Sequence, residues 1–341
     1  MTVTESIRIA VQERSQTAEA RRMARAMAEN IGLDETQAEQ VAIVVTEACT
    51  NLLKHASGGE ILLRTTGEDN PKAAADLEVL ALDHGPGMAN LNQCLRDGYS
   101  TGGSPGQGLG AIVRLSTASD FYSDTTRGTA LLARWSTTAS GAPGHPNGTA
   151  MRMGAVNLPK PGQEVCGDSW GVEQSKSKCV VLVADGLGHG LEAKAASTEA
   201  VRVLRSNPDL EPGALLERVH QALRSSRGAA VSVARIDRGK ATVTFAGVGN
   251  VSAQIYSGAR AQHLVSVNGT AGHQVQRIRE FSYAWPEDGM LVMHSDGLGT
   301  HTGLEKHPGL ALRDATLIAG VLYRDFSRHN DDATVVVAKA A

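Results

Sequence analysis

Acidic residues recur beside apolar runs in the second half of this 341-residue chain. Asp168 follows Cys166–Gly167, Asp185 closes CVVLVA, Asp296 follows MLVMHS, and Asp331–Asp332 precede TVVVA. One such aspartate is commonly just a turn residue. Four positions in one strand-rich segment point to chemistry, because carboxylates at the edge of a dry sheet core repel one another unless cations neutralise them. Oxygen-only ligands suit Mg²⁺ or Mn²⁺ rather than Zn²⁺. Two such ions bridged by a carboxylate can hold a water, lower its pKa and aim it in line at a phosphate ester. The chemistry is phosphoester hydrolysis.

The first half offers the opposite reaction. In EACTNLLKH (47–55), Glu47, Asn51 and His55 fall along one helical stripe with Lys54 beside it, and Val41, Val45, Ala48 and Leu52 form an apolar arc able to face a sheet. An Asn one turn after a Glu suits a metal–triphosphate site, the amide oxygen binding Mg²⁺ and the carboxylate accepting a hydroxyl proton. For this helix alone, a solvated polar face is the competing reading. In DHGPGM (83–88), Asp83 ends a strand where it can accept from an adenine amino group, and Gly85 and Gly87 permit close backbone approach. In GYSTGGSPGQGLGA (98–111), Gly102, Gly103, Gly106, Gly108 and Gly110 lead into an apolar helix, an arrangement that can cradle phosphates. No GxxxxGK[ST] occurs, so a P-loop is not the nucleotide site.

The elements that must position these residues read as two groups. Helices are predicted at 16–30, 35–56 and 108–117, with strands at 59–66, 76–83, 119–124 and 128–135. Asp34 and Gln37 form a capping box for the second helix. Residues 136–150, STTASGAPGHPNGTA, have linker composition; a flexible chain of that length reaches about 20–23 Å. Beyond it, strands are predicted at 179–184, 229–236, 241–247, 251–256, 289–294 and 333–338, interrupted by helices at 190–205, 212–225 and 309–325. The fold class is α+β in two layered domains, 1–135 and 151–341, joined by the linker 136–150.

Composition narrows the rest. With 33 Lys and Arg against 36 Asp and Glu, and no basic cluster, nothing attracts nucleic acid. Cys49, Cys94, Cys166 and Cys179 are scattered without CxxC, so neither a zinc site nor a disulfide framework is indicated. No apolar run spans a bilayer and the N-terminus lacks a signal-peptide pattern, which predicts a cytoplasmic protein with no membrane partner. The histidines at 220, 263, 273, 294, 301, 307 and 329 show no ligand spacing.

The three N-terminal segments, in this order, resemble the Bergerat (GHKL) ATP-binding fold shared by gyrase, chaperone, histidine-kinase and anti-sigma-factor ATPase domains. The compact size and the stretch RDGYSTGG (96–103) are similar to the anti-sigma serine-kinase branch, especially stressosome switch kinases; the lid is slightly longer and carries Pro105. The resemblance implies ATP with Mg²⁺, with Asn51 holding the ion, Asp83 the adenine, Glu47 as the base, and Gly85, Gly87, Gly106, Gly108 and Gly110 lining nucleotide. The set GDSW…ADGLGHG…SDG…NDDAT, with AGVGN at 246–250, is similar to the metal-dependent PPM phosphatases of the SpoIIE-like branch, which fold as an α-β-β-α sandwich. That resemblance implies two Mn²⁺ or Mg²⁺ ions held by Asp168, Asp185, the Gly186 carbonyl, Asp296 and Asp331, with Asp185 bridging. Asp332 stands where many members have Asn, so either aspartate of the pair fits, with Asp331 favoured.

Together the resemblances imply a bifunctional partner-switching regulator. It would phosphorylate and dephosphorylate Ser or Thr on STAS-type anti-sigma-antagonist or stressosome proteins, with a downstream phosphatase, cyclase or sigma factor as further candidate partners. Two alternatives stay open: a phosphatase whose ATP-binding half is a non-catalytic docking module, and a degenerate phosphatase fold acting as a scaffold.

Overall fold

The computed structural model describes residues 5–67, 75–94, 108–137, 151–258, 260–299 and 302–340. Gly106, most of the predicted lid and residues 138–150 of the predicted linker lie outside them.

The first half runs β1 (Ile7–Val11), α1 (Arg14–Asn30), α2 (Glu35–His55), β2 (Gly59–Thr66), β3 (Asp76–Leu82), α3 (Leu91–Cys94), α4 (Gly108–Leu115), β4 (Ala118–Asp124) and β5 (Gly128–Ser136). Its strands form an antiparallel sheet in the order β1-β2-β3-β5-β4. The predicted capping box starts α2: Gln37 N–H donates to Asp34 Oδ1 at 2.8 Å, and the Gln37 amide oxygen accepts from Asp34 N–H at 3.1 Å. Strand alternation divides the apolar residues between two faces. Ile61, Leu63, Leu77, Val79, Leu131 and Ala133 pack against α1, α2 and α4, while Leu62, Leu80, Leu82, Ala130 and Leu132 face the other way.

The second half runs β6 (Arg152–Leu158), β7 (Asp168–Gln174), β8 (Lys178–Gly186), α5 (Leu191–Ser206), α6 (Pro212–Ala222), β9 (Ala229–Asp237), β10 (Thr242–Val248), β11 (Ser252–Ser257), β12 (Arg260–His263), β13 (Phe281–Ala284), β14 (Met290–His294), α7 (Ala315–Phe326) and β15 (Ala333–Lys339). The strands form two further sheets, β13-β10-β9-β8-β7 and β12-β11-β14-β15-β6. They pack face to face through Trp170, Val181, Val183, Phe245, Met293 and Val336. Helices α5 and α6 cover the outside of the former sheet. Among the described residues no helix is long and apolar enough to cross a membrane.

Helix α7 occupies an unusual place. Every residue from Ala315 to Arg324 is buried, because the helix lies between two sheets. On one side a Cβ at Gly154 of β6 would collide with the α7 backbone at Ala315 and Thr316. On the other, a Cβ at Gly320 would stand 3.2–3.4 Å from Leu80 and Leu82 of the first sheet. The order of layers is therefore helices, sheet, α7, sheet, sheet, helices. The apolar face left by β2, β3 and β5 is filled by a helix from the other half of the chain, and a single cluster of buried side chains spans both halves.

Charges reinforce this junction. Buried Glu78 on β3 accepts from Arg64 Nε of β2 at 3.0 Å and from Arg134 Nη2 of β5 at 2.6 Å. Thr316 Oγ1 of α7 donates to Glu78 at 3.0 Å, and Arg134 also reaches Asp314, the α7 N-cap, at 3.2 Å. The Arg64 guanidinium lies 5.8 Å from the centroid of the Trp170 ring on β7. Burial opposes the Glu78 charge, but the two arginines hold its carboxyl down at about 2.

All predicted helices and strands are present. Sequence reading missed β1, α3, β6, β7, β12 and β13, and the helix predicted from 309 begins at Ala315.

Two candidate active sites

The nucleotide-site candidates sit where α2, α4 and the end of β3 meet. Glu47 and Asn51, one turn apart, point toward the start of α4. A Cβ at Gly108 would come within 2.9 Å of Glu47 Oε2 and 3.7 Å of Asn51 Oδ1. The glycine thus lets the first turn of α4 stand directly over both side chains. Gly110, two residues on, is buried. Asp83 is half-buried beyond the end of β3, where its Oδ1 accepts from the N–H of Gly85 at 2.7 Å and of Thr129 at 3.1 Å. The glycines beside it make room for protein: a Cβ at Gly85 would meet Ala56 at 2.7 Å, and one at Gly87, where φ is +61°, would strike the Asp124 carbonyl. The structure brings Glu47, Asn51 and Gly108 together and places Asp83, Gly85 and Gly87 on the adjoining loop.

The carboxylate site is built from strand ends of both facing sheets. Asp168 opens β7 and Asp185 lies near the end of β8 as its cross-strand partner. Asp296 follows β14, and Asp331–Asp332 precede β15, the neighbouring strand. Gly186 is buried because α5 packs on its backbone; a Cβ there would strike the Ala193 carbonyl. Burial pushes the Asp168 and Asp185 carboxyls well above the ordinary range, and the surrounding aspartates push further. Asp296 is raised by burial and by Asp331, with Arg328 opposing. Two buried carboxylate oxygens, Asp168 Oδ2 and Asp332 Oδ2, have no hydrogen-bond partner.

Among the described residues no three His, Cys, Asp or Glu side chains stand as a ready-made ligand group. The aspartates are nevertheless near enough to raise one another's pKa, and unpartnered, all-oxygen and anionic donors fit a hard divalent cation. Within the pair, Asp332 is buried and its Oδ1 accepts from Lys160 N–H at 2.8 Å. Asp331 is more open and caps Asp332 N–H at 3.0 Å.

Several participants escaped the sequence reading. Asn250 donates to Asp296 Oδ2 at 2.6 Å; it lay inside the singled-out AGVGN, but only spatial pairing assigns it this contact. His307 is buried against Asp325 at 2.6 Å, and Arg324 reaches across to the Asp83 loop. Isolated charges in an apolar helix were the available signal for that pair.

Comparison with known proteins gives a separate match for each half of the chain. Residues 10–135 match the histidine kinase-like ATPase domain family, and residues 175–341 match the family of stage II sporulation protein E. The phosphoserine phosphatase RsbX of Bacillus subtilis is 26% identical over 142 residues, covering 41% of this chain and 71% of that protein. The serine/threonine-protein kinase RsbT of the same organism is 27% identical over 117 residues, covering 34% of this chain and 86% of that one. A crystal structure of RsbX in complex with magnesium superposes with a TM-score of 0.50 at 22% identity, covering 58% of this chain and 98% of its own. A chain from a solved structure of the bacterial stressosome, described as a modular system adapted to control secondary messenger signaling, gives 0.52 at 25% identity, covering 55% and 99%.

Proposed function

We propose, for a chain that joins a histidine kinase-like ATPase domain to a PPM-like domain of the SpoIIE type, that it both adds phosphate to and removes it from Ser or Thr of STAS-type partner proteins. The observation that carries the reading is the cross-strand pair of buried Asp168, with its unpartnered oxygen, and half-buried Asp185, placed among Asp296, Asp331 and Asp332. Burying that much like charge is unfavourable unless cations are held there.

Asp168, Asp185, Asp296, Asp331 and the Gly186 carbonyl would hold two Mn²⁺ or Mg²⁺ ions. Such ions supply an activated water and neutralise charge on a phosphoryl group. The chain's own residues orient the ligands: Asn250 fixes Asp296, and the Lys160 N–H holds Asp332 Oδ1; we favour the more open Asp331 as the ligand of that pair, with the unpartnered Asp332 Oδ2 as the alternative. In the other half, Asn51 would hold Mg²⁺ with ATP, Asp83 would read adenine, and Gly85, Gly87, Gly106, Gly108 and Gly110 would line the nucleotide. Glu47 would take the proton of the acceptor hydroxyl. The names of RsbT, RsbX and the stressosome structure support partner switching as the setting, and we place it in the cytoplasm. We set the domain limits at 1–135 and 151–341, a reading supported by β6 and β7, which precede residue 175 and pair within the sheets of the second half.

Glu47→Gln tests the kinase half. With a STAS partner and labelled ATP, transfer should fall by at least about a hundredfold, the usual scale of general-base catalysis, while nucleotide affinity holds. Wild-type protein that binds ATP normally but transfers nothing would make this half a docking module instead.

A further inference from the structure

The adenine-side loop of the ATPase-like domain is completed by a side chain of the phosphatase-like domain. Arg324, near the end of α7, is 6% exposed, and its Nη1 donates to the backbone carbonyl of Asp83 at 3.1 Å. The guanidinium has little freedom to do otherwise. Its Nε and Nη2 donate to Asp325 Oδ1 and Oδ2 at 2.7 and 3.1 Å, and Asp325 is gripped by His307 at 2.6 Å. The other ring nitrogen of His307 lies 3.2 Å from the Gly303 carbonyl. The planar fork therefore arrives at Asp83 already oriented.

Asp83 is fixed from its other sides by its own domain. Its N–H donates to the Thr129 carbonyl at 3.0 Å, and its carboxylate accepts from Gly85 and Thr129. Gly128, with φ of +100°, passes so close that a Cβ would strike the Asp83 carbonyl. The carbonyl is held from across the domain junction, and the peptide it belongs to leads through His84 into Gly85, whose N–H orients the Asp83 carboxylate, so Arg324 acts on the turn that aims it. We propose that Arg324 is a positioning residue for nucleotide recognition, setting the direction in which Asp83 presents its carboxylate to an adenine amino group. The inference rests on the assignment of Asp83 to the adenine site.

The test uses the full chain and fluorescent ADP and GDP analogues. Arg324→Met should weaken ADP binding about tenfold, the scale of one hydrogen bond to a charged group. GDP binding should change much less, so that base preference falls by a similar factor. Arg324→Lys, which keeps the charge but not the fork, should recover part of the preference. Asp325→Asn, which frees the fork, should reproduce part of the loss if the Met variant does not fold. Equal loss for both nucleotides would reduce Arg324 to a structural strut and overturn the proposal, as would unchanged affinities in a folded variant. Wild-type protein that binds neither nucleotide would overturn the ATP-site assignment itself, a distinct outcome.

Discussion

Asp185→Asn is expected to lower hydrolysis of a phosphoester by at least about a thousandfold, roughly 4 kcal/mol in the barrier, while leaving the cation-free protein as stable as before or more so. The two effects share one cause. Asp185 is a half-buried acid facing Asp168 across the strand pair, with Asp296, Asp331 and Asp332 adding repulsion, so its charge is unfavourable without a cation and needed with one. A neutral amide removes the repulsion and would weaken the hold on a cation. In the wild type, Mn²⁺ or Mg²⁺ at 100 times its dissociation constant should add about 2.7 kcal/mol of stability. Thermal unfolding with and without the ion would show a rise of several degrees that the variant lacks. Hydrolysis within tenfold of wild type, or an undiminished cation effect, would remove Asp185 from the metal site.

Glu78→Gln should cost about 3–5 kcal/mol, the usual penalty for breaking a buried ion pair from one side. The amide fits the space but leaves Arg64 and Arg134 facing each other in the core, with Asp314 paired to Arg134 and Asp76 nearby as the remaining acids. Because Thr316 and Asp314 belong to the α7 side, both halves should weaken together in urea or heat. The pH dependence follows from the depressed carboxyl. Glu78 titrates near 4.5 unfolded and at about 2 folded, so its contribution is full above 4.5 and is lost as pH falls from there through about 2. The Gln variant should lack this component of acid destabilisation. Equal stabilities at pH 7, or identical acid profiles, would mean the arginines find other partners.

Much of the architecture was legible because local signals agreed. The Asp34–Gln37 box set the start of α2, and the Val-rich runs marked the strands that became β8, β9, β14 and β15. Asp168, Asp185, Asp296 and Asp331 could be picked out because each interrupts or borders an apolar run. What stayed hidden depends on partners distant in sequence. Strand β7 is read poorly because DSWGVEQ mixes polar and apolar residues without clean alternation. Arg64, Glu78 and Arg134 look like the outward positions of ordinary strands; only a helix some 240 residues away makes them interior. The apolar circumference of ATLIAGVLYRDF did hold a clue, since a helix greasy on all sides is one enclosed on all sides.

Enclosure of α7 has a practical corollary for anyone dissecting the chain. A fragment ending after β5 would carry Leu62, Leu80, Leu82 and Leu132 into water, each losing about 1.5–3 kcal/mol of burial. Such a truncated piece should clump, and a monodisperse N-terminal fragment would require those leucines to be replaced by hydrophilic residues.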